Sequence, residues 1–337
     1  MSLLEVKDLH VRFAAQGSGL LGIRRQWVRA VNGVSLSLAA GEALGLVGES
    51  GSGKSSLGRA ILRLSDIAAG QVLFDGVDIA QGGAIELDRL RHETAMIFQD
   101  PYAALNPRLT IGQTLAEVLQ VQRKVAPERI AARVEELLTL VGLRPELAGR
   151  KPSSLSGGQC QRVGIARALA VEPRLIVADE CVAALDVSIQ GQIVNLLLEL
   201  RQRLNLSILF IAHDLAIVRR LCDRVAVMYL GQIVEEGSVE AVFGAPRHPY
   251  TAALIDSIPD IDPERRLPVE PLPGEPPSPL HAPSGCAFHP RCRLARPTCA
   301  EAPPPTHQLE HQRYSCVLEQ PLSHIPTPTS IDRELYA

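Results

Sequence analysis

Apolar and polar residues alternate along "LLEVKDLHVRF" (3–13) and through "AVNGVSLSLAAGEALGLVG" (30–48), the period-two signature of strands. The second passage carries two strands around the turn "AAGE". Residues 54–64 change to a helical period. "GQVLFDGVDI" (70–79) has the form of a short hairpin, and "AMIFQDP" (95–101) that of a strand ended by Pro101. From about 110 to 172 the period is helical: Ile130, Val134, Leu137, Leu138 and Val141 share one face, and Pro127 stands near a helix start. Strand signals return at "RLIVAD" (174–179) and "SILFIAHD" (207–214). Between them, "SIQGQIVNLLLELRQRLN" (188–205) is long enough for the helical crossover that parallel strands require. "RVAVMYLGQIVEEG" (224–237) reads as a further hairpin. The predicted architecture is alternating α/β with a helical insert. The segment from about 250 onward, rich in proline and poor in periodicity, reads as an extension rather than a second α/β domain.

Composition narrows the classes. A chain of 337 residues with 46% apolar content can bury one large domain plus an appendage. The net charge of −3 offers no basic footprint, so no nucleic-acid partner is expected. The opening residues lack a signal-peptide pattern, and no stretch reaches the ~18 uninterrupted apolar residues of a membrane span, so a cytoplasmic location is expected. Cysteines there stay reduced, which argues against a disulfide framework.

The candidate chemistry begins at "GESGSGKSS": Gly48, Glu49, Ser50, Gly51, Ser52, Gly53, Lys54, Ser55 and Ser56. This is G-x-x-x-x-G-K-[ST] after a predicted strand and at the opening of a predicted helix, the setting of a phosphate-binding loop. Glycines let successive N–H groups turn toward phosphates, and the helix N-terminus adds its positive end. Lys54 is expected to reach the β and γ phosphates, and Ser55 to offer its hydroxyl to Mg²⁺, a hard cation that prefers oxygen. A nucleoside triphosphatase also needs a carboxylate at a neighbouring strand end, and "LIVADE" supplies Asp179 for the Mg²⁺ shell and Glu180 to orient or deprotonate water. Alone, an Asp-Glu pair there would usually be a strand end meeting solvent; with the glycine loop upstream, the catalytic reading prevails.

Between these motifs lies "SSLSGGQCQRVGIARALA" (153–170), containing Leu155, Ser156, Gly157, Gly158 and Gln159. Here the sequence resembles the ATP-binding-cassette (ABC) family. A Ser-Gly-Gly turn opening a helix is a second anion site, which the first nucleotide does not need, so it implies a second subunit. In the family this turn closes over the γ-phosphate held by a partner's glycine loop. The resemblance also makes Gln99, in "FQDP", a contact to nucleotide and Mg²⁺ at the root of the helical insert. His213, in "IAHDL", becomes a γ-phosphate contact, and Asp186, in "AALDVS", part of the loop crossing the dimer interface. Glu180, His213 and Gln99 are thus the expected catalytic set. An aromatic residue near the N-terminus should stack on adenine; Phe13 fits the spacing and Trp27 competes. Ala183 stands where the interface loop usually has Ser, and Cys160 where Arg is common after the signature, but every residue assigned to hydrolysis is present.

The fold this resemblance implies is a P-loop cassette: a RecA-like core, an antiparallel β subdomain and an α-helical subdomain at about 100–172. The cassette would span 1–249, and a Pro/Cys-rich C-terminal extension 250–337. "FQDPYAALNPRLTIG", "HPYTAALIDSIP" and "GEPPSPLHAPSGCAFHPRC" resemble the ATPases of oligopeptide and dipeptide importers, and "SLGRAILRL" favours the second ATPase of the pair. The resemblance runs from about residue 3 to 318 and leaves "TPTSIDRELYA" unassigned. Such a subunit would sit on the cytoplasmic face of the inner membrane. It would form a heterodimer with a companion ATPase beneath two permease subunits, served by an extracytoplasmic solute-binding protein. The other classes fit less well. A soluble ABC protein of translation would carry two cassettes, a DNA-repair member long coiled coils, and a P-loop kinase no LSGGQ.

Cys286, Cys292, Cys299 and Cys316 form C-x₅-C-x₆-C-x₁₆-C in a proline-rich segment with little apolar periodicity that does not easily order itself by core burial, where a metal can supply the missing cross-link. Four thiolates suit zinc or an iron–sulfur cluster. Resemblance to importer ATPases favours a [4Fe–4S] cluster, while His289 and His311 keep a mixed-ligand Zn²⁺ site open. Four unligated thiols in a loose tail are the plainer alternative.

Overall fold

The computed structural model describes residues 2–14, 26–258, 272 and 274–322. In chain order they form β1 (Ser2–Ala14), β2 (Trp27–Ala39), β3 (Ala43–Val47), α1 (Lys54–Ile61), β4 (Ala69–Phe74), β5 (Val77–Asp78), α2 (Ala84–Glu93) and β6 (Thr94–Ile97). The middle comprises α3 (Ile111–Gln122), α4 (Ile130–Leu140), α5 (Gly157–Leu169), β7 (Leu175–Asp179), α6 (Val187–Leu204), β8 (Ser207–Ala212) and α7 (Leu215–Leu221). Then come β9 (Arg224–Tyr229), β10 (Gln232–Ser238), α8 (Val239–Gly244), α9 (Pro249–Asp256), α10 (Thr298–Glu301), β11 (Thr306–Gln308) and β12 (Gln312–Ser315). The unassigned "TPTSIDRELYA" lies outside the described residues.

The predicted α/β class is the observed one. The large sheet has the order β11-β12-β10-β9-β3-β8-β7-β6, and from β9 through β6 all neighbours are parallel. Every residue of β3, β7 and β8 is buried, as parallel strands covered on both faces must be. On one face Leu44, Leu46, Val177, Leu209 and Ile211 pack with Leu57, Ala60 and Ile61 of α1 and with the small β1–β2–β4–β5 sheet. On the other, Ala43, Val47, Ile208 and Phe210 pack with α3–α7. Helix α1 is therefore held between two sheets, and the loop before it cannot drift. In the insert, Val134, Leu137, Leu138 and Val141 are buried, the face the periodicity indicated.

Two features differ from the sequence reading. The strands flanking "AAGE" do not pair: β2 pairs with β1, whereas β3 enters the centre of the large sheet. The half-exposed alternation of β2 suits a sheet with one wet face, and the unbroken apolar run of β3 does not. The extension also contributes strands, since β12 pairs antiparallel with β10, and β11 with β12. Strand β10 carries the fully buried Glu235, whose carboxylate accepts hydrogen bonds from the N–H groups of Arg247 (2.8 Å) and His248 (2.9 Å) and from Gln312 Nε2 (2.5 Å). A buried carboxylate requires such partners, so the last of these ties the extension to the core.

Candidate nucleotide site

The loop from Gly48 to Gly53 joins the C-terminal end of β3 to α1. Gly48 has φ +152° and Gly53 φ +105°; a Cβ on either would lie 2.1 Å from the Met228 carbonyl oxygen or 2.0 Å from that of Ala30. Only glycine fits where the backbone passes so close to its neighbours. Lys54 is almost fully buried, and its ammonium donates to the carbonyls of Gly48 (2.8 Å) and Glu49 (2.9 Å). Burial pulls its pKa down, while the carboxylates of Glu180, Asp179 and Glu49 push it back up.

Ser55 donates its hydroxyl to Asp179 Oδ1 at 2.7 Å, joining the loop to the end of β7. Next along the chain, Glu180 has a positive φ of 46°, uncommon outside glycine, and its N–H donates to the Ile211 carbonyl (2.9 Å). Its carboxylate lies 4.0 Å from the Lys54 ammonium and accepts from Gln99 Nε2 at 2.8 Å. Lys54, Ser55, Gln99, Asp179 and Glu180 thus come from three segments into one cluster. Its hydroxyl, carboxylate and amide oxygens are the hard donors Mg²⁺ takes, so the set fits that ion.

The remaining sequence candidates stand on other elements. His213 is exposed just after β8, and Asp214 caps α7 by accepting from the Ala216 N–H (2.8 Å). Ser156 is the N-cap of α5: its Oγ accepts from the Gln159 N–H (3.3 Å), and Gln159 Oε1 accepts from the Ser156 N–H (3.0 Å). This reciprocal capping box engages Gln159 locally. Gly157 and Gly158 occupy the first turn, whose amides have no intrahelical acceptors; a Cβ on Gly158 would meet Ile189 at 2.6 Å, which ties the turn to the segment carrying Asp186. Asp186 is exposed before α6, without a side-chain cap bond. Among the described residues, no hydrogen bond links Ser156–Gln159 to the Lys54 cluster. Cys160 is fully buried with its thiol on the Pro152 carbonyl (3.6 Å), and burial raises its pKa to about 11. Phe13 and Trp27 are both exposed near the ends of paired β1 and β2, and the Arg12 guanidinium sits 4.9 Å over the Trp27 ring.

The four clustered cysteines carry free thiols. The Arg296 N–H donates to Cys299 Sγ (3.4 Å) and the Leu318 N–H to Cys316 Sγ (3.5 Å). Burial pushes the Cys292 thiol up to about 12, and the other three thiols add to the rise. Among the described residues, however, no group of three or more His, Cys, Asp or Glu side chains is arranged to hold a metal ion. The expected iron–sulfur or zinc centre therefore finds no preformed cage among the described residues.

Two residues absent from the sequence reading bear on the loop. Arg291 grips both carboxylate oxygens of Glu49, with Nη1–Oε2 2.6 Å and Nη2–Oε1 3.0 Å. The Glu49 N–H meets the hydroxyl of Tyr250 at 2.8 Å. Tyr250 lies in "HPYTAALIDSIP" and Arg291 in "GEPPSPLHAPSGCAFHPRC", stretches that carry only a family resemblance, and no local spacing links either residue to Glu49.

Comparison with known proteins places these features. A family model described as ABC transporter matches residues 31–183, and one described as oligopeptide/dipeptide transporter, C-terminal region, matches 234–299. The chain is 47% identical over 324 residues to the oligopeptide transport ATP-binding protein OppF of Salmonella typhimurium, covering 95% of this chain and 97% of that protein. It is 48% identical over 321 residues to a probable peptide ABC transporter ATP-binding protein of Sinorhizobium fredii, covering 95% and 91%. Among solved structures, a dimeric ATP-binding cassette in a post-hydrolysis state with ADP and phosphate superposes with a TM-score of 0.62 at 28% identity, over 70% of this chain and 98% of that one. A Clostridium perfringens cassette from the ABC transporter complex cbiONQ also gives 0.62, at 29% identity over 72% and 91%.

Proposed function

Because the chain belongs to the ABC transporter family, as an ATPase of its oligopeptide/dipeptide branch, we propose that it powers peptide import as one half of a two-cassette motor. The observation that carries the reading is the convergence of loop, strand end and insert in one cluster, through the Ser55–Asp179 and Gln99–Glu180 hydrogen bonds of 2.7 and 2.8 Å. The amides of Gly48–Ser56 cradle the phosphates of ATP, and Lys54 leaves the Gly48 and Glu49 carbonyls to meet them. Ser55, Asp179 and Gln99 would hold Mg²⁺, which when bound would neutralise charge on the phosphate oxygens. Glu180 takes the proton of the attacking water, and His213 faces the γ-phosphate. Ser156, Gly157 and Gly158 complete the partner's site, and Asp186 lies in the loop between the two sites. Phe13, rather than Trp27, stacks on adenine.

The partners follow from the family: a companion ATPase, two permease subunits and an extracytoplasmic binding protein. Among the described residues no helix is long and apolar enough to cross a membrane, which fits peripheral attachment at the cytoplasmic face. The cassette spans 1–249, with its helical subdomain at about 100–172, and the extension runs from 250. Reconstitution into proteoliposomes with these partners tests the assignment: peptide uptake should require ATP, and Ser156→Arg should cut ATP turnover about tenfold or more, a loss of ~1.4 kcal/mol or above. Uptake that proceeds without ATP, or a fully active Ser156→Arg complex, overturns it.

The same reading assigns Cys286, Cys292, Cys299 and Cys316 to a metal centre. Backbone N–H groups already directed at Cys299 and Cys316 sulfurs support it, since they favour thiolate over thiol. After anaerobic purification, iron with acid-labile sulfide is the expected finding; zinc alone moves the assignment to Zn²⁺. A metal-free protein in which residues 286–316 resist proteolysis removes the centre.

A further inference from the structure

Glu49 is the only acidic residue in "GESGSGKSS", and it stands where a nucleotide brings several negative charges. An unpaired carboxylate there would repel the phosphates at short range and low dielectric. Arg291 prevents this with a two-pronged grip from a position 242 residues away in sequence, and its side chain is only 5% exposed. It sits in a short turn, His289–Arg291, immediately before Cys292. Its neighbour Phe288 packs edge-on against Tyr229 (centroids 5.3 Å apart) and tilted against Tyr250 (5.4 Å), and Tyr250 meets Tyr229 at 4.7 Å. Tyr250 in turn receives the Glu49 N–H, while the Glu49 carbonyl accepts from Lys54. One loop residue is thus held at its carboxylate and at its amide by the C-terminal part of the chain.

We propose that Arg291 is a positioning residue of the ATP site, neutralising Glu49 and fixing the loop so that the C-terminal extension sets the affinity for nucleotide. This rests on the reading of Gly48–Ser56 as the ATP loop, but not on any metal at the cysteines. An Arg–carboxylate pair with a buried guanidinium and a half-buried carboxylate is costly to break from one side, because the remaining charge is left uncompensated. The consequence falls on ATP binding rather than on chemistry, since Arg291 acts through Glu49 of the loop.

The test is direct MgATP titration of the full-length chain by calorimetry, with steady-state ATPase kinetics in the assembled transporter. Arg291→Met should weaken MgATP binding about tenfold or more and raise KM in parallel, with kcat at saturating ATP within about twofold of wild type. Adding Glu49→Gln to Arg291→Met should recover affinity to within about threefold of wild type, because the uncompensated carboxylate is gone. A purely architectural Arg291 predicts no such recovery. Should Arg291→Met fail to fold, Arg291→Lys, which keeps the charge and loses one prong, should bind about threefold or more weakly. Wild-type affinity in the variant measured, or a double variant as weak as Arg291→Met, overturns the proposal. Failure of the wild-type chain to bind MgATP would instead overturn the assignment of the loop.

Discussion

Glu180→Gln is expected to bind MgATP within about threefold of wild type and to hydrolyse it some 10²–10⁴-fold more slowly, the range lost when a positioned base is removed. The substitution is nearly isosteric. The glutamine can keep the Gln99 contact at this position, and the Lys54 ammonium 4.0 Å away keeps its two carbonyl partners. What disappears is the only group in the cluster placed to accept a proton without also serving the metal shell, since Asp179 is engaged by Ser55. The positive φ of Glu180 supports this role, because a strained backbone at a strand end persists where a side chain must be aimed. Equilibrium binding of a fluorescent ATP analogue, with phosphate release measured on the assembled transporter, separates the two effects. Hydrolysis at the wild-type rate would falsify the assignment of Glu180.

Lys54→Ala should behave oppositely, losing roughly 10²-fold in MgATP affinity, as expected from the ~3 kcal/mol of a charge-assisted hydrogen bond to phosphate. Lys54 is the one cation of the loop and is buried among Asp179, Glu180 and Glu49. Removing it leaves the phosphates facing carboxylates with only Arg291 to offset one of them. The same calorimetric titration checks this, and affinity within twofold of wild type would remove Lys54 from the phosphate site. The contrast between the two variants, one lost in chemistry and one in binding, is itself informative.

Periodicity served well where burial was complete or strictly one-sided. The strand signals at β7 and β8 fall on strands that are buried throughout, and the face of α4 carrying Val134, Leu137, Leu138 and Val141 is buried as its spacing indicates. The glycine loop is legible because its chemistry is local: the turn, the lysine and the helix start are consecutive. Strands β11 and β12 are not legible, since "THQ" and "QRYS" lack alternation and owe their conformation to the edge of β10 and to Glu235. The Arg291–Glu49 pair is likewise invisible, because nothing within a window of sequence relates residues 242 apart. Ser156 and Gln159 show a different limit. Their spacing forms a helix cap and is also the spacing of the proposed phosphate site, and sequence pattern alone does not separate the two uses.

The pairing of β12 with β10 also sets a problem of timing during synthesis. Gly237 pairs with Gln312, so an edge of the main sheet is translated 75 residues before the strand that covers it. At roughly 5–20 residues per second, that edge and the carboxylate of Glu235 wait about 4–15 s for their partners on a chain still attached to the ribosome. An open edge is a template for pairing with another chain. A nascent or prematurely terminated chain ending before β12 therefore carries a sticky margin that the finished protein hides, and quality control in the cell would meet it first at that margin.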